Sequence, residues 1–255
     1  MMTDRKKLLK PGAIAVLLML FCCLGVSSAE DSGADYNAAV ALKNTGHFDE
    51  AHNIINKLDE GGKLNDTQRI ALVDIVLEQA AAMKSLDNPA WKRKAKSVAR
   101  DIKLLARANY NNPDYWLAYA KYVRLTENER HFANALKKAL YYKPDFVDAY
   151  ILYGDFYVDR ALEAIQRPPE SKGDMTTSRD DNDPHFKILA ARANYDKALG
   201  FLTITDDQRA HACYRIAELE MHFRRDKDEA TKYWGLSQTA SPDSRWGTFS
   251  AARLK

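Results

Sequence analysis

The sequence predicts an all-α chain built from recurring helical hairpins, and three observations predict it. Trp116, Tyr119, Ala120 and Val123 are matched 34 residues later by Tyr150, Tyr153, Gly154 and Tyr157. Phe132, Leu136 and Ala139 are matched by Ala191, Tyr195 and Ala198, each 59 residues further on. Elsewhere apolar residues step by three and four, as in Trp91, Ala95, Val98, Ile102 and Leu105, which is the period of one helix face.

Each pattern has a packing reason. Residues spaced by three and four form one stripe on a helix. A small residue in the stripe, Ala120 or Gly154, lets a neighbouring helix come close, and the large residues beside it fill the flanks. Glycine inside a helix costs about 1 kcal/mol relative to alanine. Gly154 in the run Tyr-Gly-Asp-Phe-Tyr therefore points to a packing need.

These residues resemble the tetratricopeptide repeat (TPR), whose first helix carries W-x2-L-G-x2-Y. The second helix of that family carries A-x3-F-x2-A-x4-P. Phe132, Leu136, Ala139 and Pro144 follow it, with Phe132 in place of the small first residue. The resemblance extends over most of residues 34–254. Gly46-His47-Phe48-Asp49-Glu50-Ala51 reads as the turn of a first hairpin, with Ala39 and Leu42 before it and Ile55 and Leu58 after. Helices over about 67–84 and 90–109 follow. A last pair, near 207–224 and 227–239, carries Tyr214, Ala217, Ala230 and Trp234, and a capping helix follows Pro242. The resemblance implies a right-handed α-solenoid of about five stacked antiparallel helix pairs, acting as a non-catalytic scaffold or adaptor. The repeat-packing positions are Ala51, Trp116, Tyr119, Ala120, Val123, Leu136, Ala139, Tyr150, Tyr153, Gly154, Tyr157, Ala191, Tyr195 and Ala198.

The second offset exceeds the first by 25 residues, so one unit carries an insertion. Residues 166–184 are crowded with Pro, Gly and small polar residues, which is loop chemistry. Asp183-Pro184 reads as a helix N-cap and first turn. A passive loop and a partner-contacting loop both fit this composition.

The N-terminus reads as a secretory signal over residues 1–29. Arg5, Lys6, Lys7 and Lys10 precede a charge-free stretch from Ala13 to Val26, and Ser27-Ser28-Ala29 closes it. The stretch is shorter than the roughly 20 apolar residues of a membrane span; an uncleaved anchor is the alternative. The expected location is periplasmic or secreted, with residues 30–255 as the folded domain. Phe21 before Cys22, and Cys22 before Cys23, depart from the lipoprotein pattern. Cys213 alone then remains, so the mature chain holds no internal disulfide. Of 38 basic and 35 acidic residues, four and one lie in the signal, leaving 34 of each. With no global basic field, no nucleic-acid partner is expected. Membrane contact is expected only through the signal segment, if uncleaved. The Lys92-Arg93-Lys94 cluster reads as a solvated helix face.

Motifs for chemistry are absent. The six histidines, His47, His52, His131, His185, His211 and His222, form no His-Glu-x-x-His pair. Asp180, Asp181 and Asp183 lack the calcium-loop pattern. There is no phosphate-binding Gly loop and no nucleophile elbow. Cys213 with His211 or His222 reads as a small buried cysteine, and the Tyr150–Tyr157 stripe as core rather than a sugar- or peptide-binding wall. No enzyme activity, cofactor or metal is expected.

Positions out of phase with the packing stripe are the candidate partner-binding residues: Val40 and Lys43, Leu117, Lys121 and Arg124, then Ile151, Asp155 and Val158. On the resemblance they line a concave face. Lys121 and Arg124 face Asp155 and Asp159, so a carboxylate receptor is not indicated. Leu117, Ile151 and Val158 suggest an amphipathic helix or an extended peptide as the occupant. On this reading, substituting Lys121 and Ile151 together weakens capture without unfolding the chain. The alternative function is a small-molecule-binding accessory component of a solute transport system; an enzyme with an unrecognised site is a third class.

Overall fold

The computed structural model describes residues 31–60, 64–126, 129–166 and 183–255. The signal segment, and residues 167–182 of the expected insertion, lie outside the described residues. Among the described residues the chain is helical throughout, with no strand.

Twelve α-helices follow one another there: α1 (Asp31–Asn44), α2 (Phe48–Glu60), α3 (Asp66–Ser85), α4 (Trp91–Ser97), α5 (Ala99–Ala108), α6 (Pro113–Leu125), α7 (Glu129–Tyr142), α8 (Val147–Gln166), α9 (Pro184–Leu199), α10 (Asp206–Leu219), α11 (Lys227–Ala240) and α12 (Arg245–Arg253). They pack as sequential pairs: α1 on α2, α3 on α4 and α5, α6 on α7, α8 on α9, and α10 on α11, with α12 against the last two. This arrangement is consistent with a solenoid. The first helices also meet one another directly, α3 with α6 and α8 with α10.

Local chemistry sets the boundaries. Gly46, at φ 84°, sits in the left-handed region. Its N–H donates to Lys43 O, and His47 N–H donates to Leu42 O. That is a Schellman stop, which satisfies the last carbonyls of α1. Asn65 and Thr205 form capping boxes with Gln68 and Gln208. Asn112-Pro113 and Asp183-Pro184 each place a capping side chain before a proline at the first helical position. The last of these was legible in the sequence.

Two boundaries differ from expectation. The helix expected over 90–109 is broken at Val98, whose ψ is 1°. Val98 is buried there, so tertiary packing holds a bend that no Pro or Gly announces. The helix expected to run to residue 224 is α-helical only to Leu219; Glu220–Arg224 form a π turn, and Arg225 at φ 57° ends it.

The patterned small residues are where the helices touch. Ala120 is fully buried, as are Ala51, Ala139, Ala191 and Ala198. A methyl group on Gly154 would lie 2.5 Å from Cε1 of Tyr195, whose side chain is fully buried. Leu136, Val123, Trp116 and Tyr150 are buried too, while Tyr119, Tyr153 and Tyr157 pack half-buried at the edges of the core.

Trp116 and Tyr150 sit in matching surroundings. Nε1 of Trp116 donates to Tyr110 O at 2.6 Å, and the hydroxyl of Tyr150 donates to Pro144 O at 3.1 Å, six residues back in each case. Lys138 lies 4.0 Å over the Trp116 ring and Lys197 lies 4.6 Å over the Tyr150 ring. Both lysines come from the paired second helix, α7 or α9, and their separations from the two rings differ by the 25 residues of the insertion.

Gly154→Ala is expected to lower stability by about 1–3 kcal/mol, because the Tyr195 ring must move. Gly235, mid-way along α11, has no neighbour within 4 Å of the place a methyl group would take, and Gly235→Ala should raise stability by up to about 1 kcal/mol. Thermal melts of the two variants should shift in opposite directions; two shifts of the same sign would refute the close-approach account.

Candidate functional site

Five first helices share one polar edge, and their charges alternate along it. On α1, Lys43 Nζ donates to Asp74 Oδ2 of α3 at 2.8 Å. Lys121 of α6 reaches back to Asp74 Oδ1 at 2.5 Å and to Glu78 Oε1 at 2.7 Å. One turn along α6, Arg124 donates to Asp159 Oδ2 of α8 at 2.6 Å and lies 3.9 Å from Asp155. Asp155 then accepts from Arg215 Nε of α10 at 2.9 Å, with His211 Nε2 at 3.5 Å. The order is positive, negative, positive, negative, positive from α1 to α10.

The ladder is anchored at both levels of packing. The hydroxyl of Tyr195, on α9, donates to Asp155 Oδ1 at 2.7 Å. Its ring is the one that covers Gly154. At the far end the His211 ring stacks on Trp246 of α12, centroids 3.8 Å apart and 8° from parallel. Capping helix, second helix and first helices are thus tied to the same carboxylate.

The electrostatics follow from partial burial. The side chains of Asp74 and Asp155 each keep 15% of their exposure, and Lys121 keeps 17%. Burial pulls the Asp74 carboxyl upward, but the Lys121 and Lys43 ammonium groups outweigh it and hold it below the usual carboxylate range. Burial likewise opposes ionisation of Asp155, and Arg215, His211 and Arg124 overcome it. Burial draws the Lys121 ammonium down, and Asp74 and Glu78 raise it above its ordinary value.

A second feature is an open cleft of about 430 Å³ between α5, α6 and α7. Tyr115, Trp116 and Tyr119 form its aromatic floor, with Lys103, His131 and Lys138 at the rim. Lys138 is held over Trp116 and donates to the Tyr110 hydroxyl at 3.1 Å. The Tyr119 hydroxyl lies 3.2 Å from His131 Nδ1. Burial pushes the Tyr115 hydroxyl up to about 12.

The candidate partner-binding residues divide into two sets. Lys43, Lys121, Arg124 and Asp155 lie along one edge, but each is engaged in ion pairs: Lys43 and Lys121 with Asp74, Arg124 with Asp159 and Asp155, and Asp155 with Arg215. Leu117, Ile151 and Val158 are buried in the apolar clusters, so the expectation of an exposed apolar lining is corrected. A first helix here has neighbours on both flanks as well as its own hairpin mate, and positions out of phase with the mate face the next first helix. Val40 is half-buried. Substituting Lys121 and Ile151 together therefore attacks the fold and does not isolate capture. Sequence reasoning missed Asp74, Glu78 and Arg215. Asp74 and Glu78 share a helix face by their spacing of four, but α3 carries no repeat motif to align it with α6.

No cluster of metal-ligating side chains occurs among the described residues. Cys213 is buried, and burial pushes its thiol up to about 11, which leaves it protonated and unreactive near neutral pH. His211 is engaged with Asp155, and His222 lies 3.4 Å from Glu218.

Asp155→Ala leaves Arg215 and the Tyr195 hydroxyl without their acceptor, and should cost about 3–5 kcal/mol. Asp74 and Asp155 have folded values below their unfolded ones. Their contribution is complete above about pH 4 and is lost as pH falls further. The folded value of Lys121 lies above its unfolded one, so its contribution is complete below about pH 10 and fades at more alkaline pH. Urea midpoints should therefore be level near neutrality and fall on the acid side, with a shallower acid fall in Asp155→Ala. An acid limb of unchanged steepness in that variant would show that other carboxyls carry it.

The described chain is an all-α protein whose helices pack in sequential pairs; no protein-family model matches it, and no curated protein matches it.

Proposed function

We propose that the protein is an exported, non-catalytic scaffold, a right-handed solenoid of the TPR type that holds a protein or peptide partner. The observation that carries this reading is the charge ladder, which joins five hairpins into one unbroken surface. The matching surroundings of Trp116 and Tyr150 support the repeat, since unrelated helices have no reason to reproduce a hydrogen bond and a lysine at equivalent places.

The ladder also changes the kind of partner that fits. Its charges cancel pairwise, so it offers little long-range attraction. With Leu117, Ile151 and Val158 inside the core, the face offers no apolar trough for an amphipathic helix. An extended peptide suits it better, bonding through its backbone to the exposed edges of Lys43, Arg124 and Asp159.

The aromatic cleft favours a second reading, a small-molecule-binding accessory of a solute transport system. Its volume falls at the lower end of the range for ligand pockets, and its floor of Tyr115, Trp116 and Tyr119 suits a planar or sugar-like ligand.

Crosslinking in the intact cell envelope, followed by identification of what is recovered with the chain, separates the two. A single macromolecular partner, lost in an Arg124→Ala variant that still folds, is the expected result. Recovery of no macromolecule, together with a small co-purifying ligand that raises the melting temperature, would overturn the scaffold reading.

A further inference from the structure

Cations buried between the helices are paired, yet α4 and α5 carry a line of cations that is not. Lys92, Lys96, Arg100, Lys103 and Arg107 follow steps of four, four, three and four. At about 100° per residue, Lys92 and Lys96 fall within roughly 40° of arc on α4, and Arg100, Lys103 and Arg107 within roughly 60° on α5. All five side chains are exposed. None forms an ion pair with a carboxylate among the described residues; Lys92 only rests over the neighbouring Trp91 ring. The one acid of these two helices, Asp101, lies about 130° round α5 from the centre of its three cations.

Such a line is unfavourable by itself. Lys92 and Lys96, Lys96 and Arg100, and Lys103 and Arg107 are like-charge neighbours at the spacing that opposes helix formation. The chain as a whole has no cationic excess beyond its N-terminal segment to explain them. Apolar groups accompany the cations. Leu104, beside the line, is 63% exposed, and Leu86, just before α4, is 79% exposed. Tyr110, just after α5, is 52% exposed.

We propose that this face of α4 and α5 docks the protein on an anionic phospholipid surface. The charge complementarity is that of a plane: five flexible cations in a row, with nothing to fix their orientation. A site for one acidic polypeptide would instead present donors converging from several elements. The exposed Leu104, on α5 beside its cations, suits the headgroup–acyl boundary, where apolar side chains insert between cations that meet phosphates. This inference stands apart from the partner reading and uses none of its residues.

The test is co-sedimentation of the full chain with vesicles of phosphatidylglycerol and phosphatidylcholine in equal parts, and with phosphatidylcholine alone. Binding is expected to the mixed vesicles only, and to be lost as salt is raised to about 0.5 M. Lys96→Glu, Arg100→Glu and Lys103→Glu together should reduce it at least about tenfold. A control with the same net change spread over α2, α10 and α11, Lys57→Glu, Arg209→Glu and Lys227→Glu, should stay within about twofold, because those charges lie off the stripe. A parallel variant with glutamine at 96, 100 and 103 covers the case in which charge reversal disturbs the helix. Equal losses in the stripe and the spread variants would overturn the proposal. So would salt-resistant binding to both vesicle types, which would assign attachment to the N-terminal apolar segment. Binding to poly-L-glutamate with none to vesicles would overturn it in favour of an acidic polypeptide partner.

Discussion

Partly buried charges that have lost most of their water must find partners inside the protein, and the rest of this structure is arranged around that need. Asp155 shows the constraint most fully. It collects Arg215, His211, the Tyr195 hydroxyl and, at longer range, Arg124. Moving a carboxylate into such a place is costly, and only pairing with hydrogen bonds offsets the cost. Because the partners come from α6, α9 and α10, the carboxylate can be satisfied only when those helices are all in register.

Tyr195 joins this electrostatic requirement to the packing of the hairpin. Its ring occupies the space that a side chain at 154 would fill, and its hydroxyl reaches the very next residue. Gly154 is therefore more than a relief of crowding. Its missing methyl sets how closely α9 approaches α8, and that approach brings the hydroxyl to Asp155. The helix-propensity cost of the glycine is the cost of placing a hydrogen bond.

Features that depend on short spacing could be read from the sequence. The all-α class, the Asp183-Pro184 helix start, the capping helix after Pro242 and the close contact at Gly154 all rest on residues a few positions apart, or on an offset repeated three or four times. Features set by the lateral neighbours of a helix could not. Lys43, Lys121, Arg124 and Asp155 stood out as sharing one face, but the partner of Lys43 and Lys121 is Asp74 of α3, where no motif aligns it with Lys121. Leu117, Ile151 and Val158 were misplaced for the same reason: periodicity identifies the face toward the hairpin mate and is silent about the flanks. The bend at Val98 escaped because a buried valine in a regular stripe gives no local sign of a break.

The alternation of sign along the first helices has a bearing on how such a chain can lengthen or shorten over its history. Removing the α6–α7 hairpin would set Asp74 and Glu78 against Asp155 and Asp159, acid facing acid. Copying one hairpin in place would set two like-charged helices side by side. Away from the two ends, gain or loss of hairpins in twos would keep opposite signs adjacent, whereas a change of one would not.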